Sequence, residues 1–284
     1  MPDQEQAKQP EMNGHIENKV DPCTHPTDQE RAWALAIKEA AEQAGLADGL
    51  SDLEFVQHAI IAKDQVAKAL QRIERLAAFK QHHGILQDGS VAQGVRDTRT
   101  FLQMQPGFSL SLAASAKNDT HILCASYRHF LARKMKSDES FAVFMRGNFY
   151  ILQATQCSLA AMRTGVIVLC DAHGVGFRNL SMGMEERSAA LYSNSYPIGI
   201  QKMVMMRANF WMRLLKQLCR PFMSKKAWER HVFTADLQAY LEREGYDRTV
   251  LPTIWGGTIA VEEFEKALEQ KLRQRYELAA KFKL

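Results

Sequence analysis

The chain has 284 residues, 46% of them apolar and 24% charged, with a formal net charge of +4, which is the make-up of a globular protein of one or two domains with material for a large core. So small a charge, without a clustered basic face and exposed aromatic platforms, gives no case for nucleic acid as partner. No apolar run approaches the ~20 residues of a bilayer span, the longest clear one being Val166 to Cys170.

Residues 1–27 are polar, carry Pro2, Pro10, Pro22 and Pro26, and show neither periodicity nor the apolar segment of a signal peptide. They read as a disordered leader, and the location expected is cytoplasmic. A helix then starts at Asp28, capped by Thr27 or Asp28, with Trp33, Ile37, Ala40 and Ala41 at helical spacing. Ser51 caps the next, with Glu54 at the reciprocal position of a capping box. Val66, Leu70, Ile73 and Leu76 mark a third from Asp64 to His82. Together they predict a helical front domain over 28–100.

A second domain is expected over 101–260. It opens with Phe108 to Ala113, followed by a strand from Thr120 to Tyr127 after the Lys117-Asn118-Asp119 turn. Ser137-Asp138-Glu139 starts one long helix through Phe141, Phe144, Phe149, Leu152, Cys157 and Leu159, stopped near Gly165. Val166 to Cys170 is a continuous apolar run, as expected for a strand buried on both faces, so strand, helix and strand predict a right-handed parallel crossover. Ser181 to Ser193 reads as another helix. Gly199 to Met206 has strand length, and Asn209 to Arg220 switches to helical period with Phe210, Trp211, Leu214, Leu215 and Leu218 on one side and Arg213, Lys216, Gln217 and Arg220 on the other. Pro221 ends or kinks that helix, and the chain restarts through Lys225, Lys226, Trp228 and Arg230 into an edge strand at His231-Val232-Phe233. Leu251-Pro252 leads to a tight turn at Gly256-Gly257, and an amphipathic helix from Val261 to Phe282 fills the closing segment, 261–284.

The strongest pointer to an enzyme is Asp171-Ala172-His173-Gly174-Val175-Gly176 at the end of the Val166 strand, where α/β enzymes place catalytic groups. It lacks the third glycine of a dinucleotide loop, a metal partner at ligand spacing, and any nucleophile elbow or Walker loop. Asp171 reads instead as a turn cap, so a hydrolase built on Asp171 and His173 ranks third, and neither catalytic residue, metal nor cofactor is expected. Five cysteines, odd in number and widely spaced, read as reduced core thiols. From Lys202 to Arg230 the charges are basic except for Glu229, a pattern suited to weak, reversible docking on an anionic leaflet at about 1 kcal/mol per basic group.

The order of Ser195-Tyr196-Pro197, apolar strand, Asn209-Phe210 helix, Arg220-Pro221-Phe222, short strand, Leu251-Pro252 and Gly256-Gly257 resembles the CRAL-TRIO lipid-binding family. That family includes retinaldehyde and tocopherol carriers and the yeast-type phosphatidylinositol transfer proteins. The resemblance covers roughly 53–257. It implies a helical bundle followed by an α/β domain whose mixed sheet floors an apolar pocket, closed by a gate helix at about Phe210 to Phe222. Met203, Met205, Phe210, Trp211, Leu214, Leu215, Leu218 and Phe222 are the expected pocket and gate residues, with Met206 and Met212 as further soft wall. Such a cavity must stay closed in transit, because a sixteen-carbon tail would cost on the order of 13 kcal/mol to expose to water. In the tocopherol-carrying branch two basic residues beyond the gate contact phosphoinositide phosphates, and the matching places are Lys226 and Arg230, with Lys202 as a neighbouring substitute. The acidic residue that helps hold inositol in the phosphatidylinositol branch is replaced by Ile198, and Phe55-Val56-Gln57-His58-Ala59 departs from the usual Phe-Leu-Arg-Ala-Arg run of the front end. The resemblance therefore implies a non-enzymatic carrier of a hydrophobic small molecule or phospholipid that docks on an anionic, phosphoinositide-containing membrane. A phosphatidylinositol or phosphatidylcholine transfer protein, and a lipid-sensing scaffold without net transfer, are the alternatives.

Overall fold

The computed structural model describes residues 25–85, 90–105, 112–114, 120–135, 137–176, 179, 195–220, 225–246, 249, 251–260 and 262–284. The predicted helix at Ser181 to Ser193, most of the leader, the Lys117-Asn118-Asp119 turn and Pro221-Phe222 lie outside them. Helix α1 (Asp28–Gln43) is capped by Thr27 and α2 (Asp52–Ala62) by Ser51, and in both the third helical residue, Glu30 or Glu54, returns a hydrogen bond to the cap backbone. Two unsatisfied amide donors are thereby met at each start. Helix α3 (Val66–His83) follows, ending on Gly84 in the left-handed conformation. Ala34, Ile37, Leu53, Val56, Ala59 and Ile73 share a core with Leu159, Met162 and Phe282, so the front helices already pack on the second domain and on the closing helix.

Helix α4 (Val91–Met104), capped by Ser90, was not legible in the sequence. It packs on α5 (Asp138–Ala154) at glycine contacts: a methyl group on Gly94 would come within 2.7 Å of Leu272 and 2.8 Å of the Tyr150 ring, and one on Gly147 within 2.6 Å of Phe101. The glycine that interrupts the apolar period of α4 is the one that lets the helices approach. The predicted single helix from Ser137 to Gly165 is two. Helix α5 stops at Ala154, and Ser158 caps a new one, α6 (Leu159–Thr164), through its hydroxyl and the Ala161 amide.

The sheet runs in the order β1 (Leu112–Ala114), β2 (His121–Ser126), β3 (Val166–Asp171), β4 (Ile200–Met206), β5 (His231–Thr234). Among the described strands only β1 is antiparallel to its neighbour, and β5 is an edge. The mixed sheet matches the expectation, and so does the parallel pairing of β2 with β3 around α5. After β4 come α7 (Phe210–Cys219), α8 (Lys225–Glu229), β5, α9 (Leu237–Glu244) and α10 (Glu263–Lys281). No helix among the described residues is long and apolar enough to cross a membrane.

His58 is fully buried in α2, and neither of its ring nitrogens has a hydrogen-bond partner. Burial pushes its imidazole down to about 3, with Arg72, Lys80 and Arg275 acting in the same direction and Glu54 opposing. The folded chain therefore refuses a proton that the unfolded chain takes up below about pH 6.5. Stability should be fully present above that pH and fall by roughly 2 kcal/mol between pH 6.5 and 5, a window above the carboxylate range. Urea unfolding at the two pH values checks it, and His58→Leu should lose most of the dependence.

Candidate functional site

Side chains alternate across each strand, so the sheet has two apolar faces. Ile122, Cys124, Ile167, Leu169, Val204 and Met206 point to an outer face covered by Tyr240, Leu241 and Leu251. Leu123, Ala125, Cys170 and Met205 point to the inner one, with Phe130, Phe141, Phe144, Phe149, Tyr150 and Tyr196 in the same cluster. The alternation splits the methionines of β4. Met203 and Met205 lie on the inner face, while Met206 looks the other way and is no part of that wall. Val168, Ile198, Ile200, Met203, Ala208 and Phe233 are only half-buried there, an apolar lane that protein atoms leave partly open.

Helix α7 lies along this face, and its start fixes its rotation. The Asn209 side chain accepts from the Met212 amide at 3.1 Å and donates to the Val175 carbonyl at 2.7 Å. This cap directs Met212, 7% exposed, into the inner cluster. Phe210, Trp211 and Leu214 face outward instead, 70%, 42% and 37% exposed, with the Phe210 and Trp211 rings edge to face at 5.6 Å. The sequence period identified the stripe but not its direction. The side chains of Leu215, Leu218 and Lys226, and all of Phe222, lie outside the described residues.

Both ends of α7 are tied down. Before it, Arg207 has a left-handed backbone, φ 49°, sparsely populated by any residue but glycine, asparagine and aspartate. Its guanidinium forms an ion pair with Asp171, Nε donating at 3.1 Å to one carboxylate oxygen and an Nη group to the other, and its amide donates to the Thr234 carbonyl at 3.2 Å. Asp171 is 4% exposed and also accepts from the His173 backbone amide at 3.0 Å. That second bond is the turn cap foreseen from sequence. The bond to Arg207, 36 positions away, was not.

At the far end, the Lys216 ammonium sits 4.4 Å from the Trp228 ring centre and 4.5 Å from that of Phe233, and donates to the His231 carbonyl at 3.1 Å. Burial holds its pKa below the ordinary lysine value. Arg220 lies over the same Trp228 ring, 5.4 Å from its centre. Lys202 belongs to the other side of β4, where it pairs with Glu244 at 2.6 Å and lies 6.0 Å from the Tyr240 ring. Arg230 is half-buried at the start of β5, and its carbonyl accepts from the Met203 amide at 2.8 Å. Among the described residues no three His, Cys, Asp or Glu side chains are grouped to hold a metal, and Cys124, Cys157 and Cys170 are buried thiols, with burial pushing Cys170 up to about 12.

A helical front end, a mixed sheet and an amphipathic helix laid over a partly open apolar face define an α/β domain of the lipid-binding class. Residues 117–257 match the CRAL/TRIO domain, and through it this chain belongs to the CRAL-TRIO family. The solved structure of Sfh5 superposes with a TM-score of 0.56 over 84% of this chain and 92% of that one, at 11% identity, a likeness of fold. No curated protein matches the chain in sequence.

Because the Asp171 carboxylate is buried against a half-exposed guanidinium, Asp171→Asn should lower stability by about 1–3 kcal/mol, less than for a fully enclosed pair. Chemical denaturation reads this directly, and a change below 0.5 kcal/mol would show that the ion pair contributes little to holding Arg207.

Proposed function

We propose that this protein is a non-enzymatic carrier that takes one hydrophobic, lipid-like molecule onto the inner face of its sheet and exchanges it at an anionic, phosphoinositide-containing membrane. The observation that carries this reading is the division of α7 into two apolar sides. Met212 contacts the inner cluster, while Phe210, Trp211 and Leu214 stand in solvent beside Arg207 and Arg213. A helix of this kind is a poor lid for a chamber facing water alone. Docked on a membrane, its aromatic side chains enter the interfacial region and its cations meet lipid phosphates.

The energetics favour reversible contact. Burying an exposed aromatic or leucine side chain contributes about 1.5–3 kcal/mol at most, and each cation near an anionic surface about 1 kcal/mol. Such a sum supports brief docking, which a shuttle requires. Opening follows if the membrane binds the open arrangement of α7 more tightly than the closed one. Lys226 and Arg230 are the proposed phosphate contacts beyond the gate, with Lys202 joining them only if it leaves Glu244. The Asp171 site supports no hydrolase, since its carboxylate is spent on Arg207 and a backbone amide.

Mass spectrometry of organic extracts, together with transfer of fluorescent tocopherol, retinoid and phospholipid between vesicles, should identify a bound amphiphile and move at least one of these probes. Absence of both, with detergent stripping excluded, overturns the carrier reading, and binding without transfer turns it into a sensor. In vesicle co-sedimentation, Phe210→Ser/Trp211→Ser/Leu214→Ser should weaken binding at least tenfold on neutral and anionic membranes alike. Lys226→Ala/Arg230→Ala should weaken it roughly thirtyfold on anionic vesicles only, at about 1 kcal/mol per charge; unchanged anionic binding rules out the clamp.

A further inference from the structure

We infer that Lys216 is the releasable latch of α7, holding the helix against β5 through its ammonium and two aromatic faces, and that α7 swings about Arg207 when an anionic lipid phosphate takes Lys216 from those rings. The inference rests on the carrier reading for its use but on geometry for its existence. Helix α7 has one buried apolar anchor among its described side chains, Met212. Among the described side chains Lys216 also reaches the body of the domain, lying close to Trp228 of α8 and Phe233 of β5 and donating to the His231 carbonyl. Nothing local forces this, because an exposed lysine on a helix is free to extend into water.

A lysine so placed has a double character. Two ring faces and a carbonyl replace part of its water, yet no carboxylate pairs with it among the described residues. The charge is held by partial negative charges alone, which a phosphate outbids. Arg220, stacked on the same Trp228 ring, would be released by the same event. At the opposite end Arg207 supplies the pivot. It is a non-glycine residue at φ 49° whose conformation is imposed by Asp171 and by Thr234, so a modest rotation there relieves strain rather than creating it. The tether at one end is thus an ion pair to a buried carboxylate, the one at the other a half-buried ammonium held by rings and a carbonyl.

Hydrogen exchange on the full-length, ligand-free chain tests the latch. In Lys216→Met, which keeps the stem and removes the charge, amides of 210–219 should exchange about tenfold faster while those of α5 are unchanged. Lys216→Arg, which keeps a cation that stacks on rings, should stay within about threefold of the parent chain. Equal protection of α7 in parent and Lys216→Met, an equal loss in both variants, or parallel loosening of α5 would each overturn the latch. In a second arm, fluorescent tocopherol preloaded on the protein is released to neutral or phosphoinositide-containing vesicles. The parent should release it faster to the anionic vesicles, and Lys216→Met should release it at that rate to neutral ones; a variant still dependent on vesicle charge overturns the phosphate trigger. A parent chain that carries no tocopherol, retinoid or phospholipid ends the carrier reading, and the exchange result then still decides the latch by itself.

Discussion

Strand β3 lies between β2 and β4, and everything else in the second domain follows from the need to cover both of its faces. Ile167 and Leu169 point one way, Val168 and Cys170 the other, so neither side of the sheet can be left to water. The outer face is covered by Tyr240 and Leu241 of α9 and by Leu251. The inner face is treated differently. Helix α5 covers much of it with aromatic side chains, and α7 adds Met212, the buried one among its described side chains, beside the half-buried strip of Val168, Met203 and Phe233.

The front helices are attached by chemistry of another kind. Arg275 of α10, 3% exposed, donates to the Gln156 carbonyl at 2.8 Å and to the Gln57 side chain at 2.7 Å, and Gln57 in turn donates to the Pro197 carbonyl at 2.9 Å. Four segments distant in sequence are thereby joined just before β4. Glu30 with Arg163 and Glu54 with Lys80 add ion pairs around the same junction. A buried charge with its hydrogen bonds met is unforgiving of misplacement, which suits a junction between the front helices and the sheet.

The Asp171 region shows why position at the end of a parallel strand is weak ground for assigning catalysis. Its carboxylate has a buried, well-partnered place and a task within the fold, that of holding the backbone of Arg207 where β4 gives way to α7. What would read as an active-site acid in isolation is, in its surroundings, a structural counter-ion for Arg207.

Local signals were legible because they are local. The capping box at Ser51, the apolar run of β3, the strand of β4 and the helical period after Asn209 each depend on residues within a few positions of one another, and each appears where the sequence placed it. Helix α4 escaped because Gly94 looks like a breaker until Tyr150 and Leu272 are seen against it. The long helix was read through Ser158 because a serine cap and an exposed serine are alike in one dimension. The inward turn of Met212, the outward Phe210, Trp211 and Leu214, the Asp171 to Arg207 pair and the Lys216 cage were decided by tertiary structure alone. Periodicity determines that a helix has an apolar stripe, whereas which way the stripe points depends on hydrogen bonds and ring contacts made with strands far away in the chain.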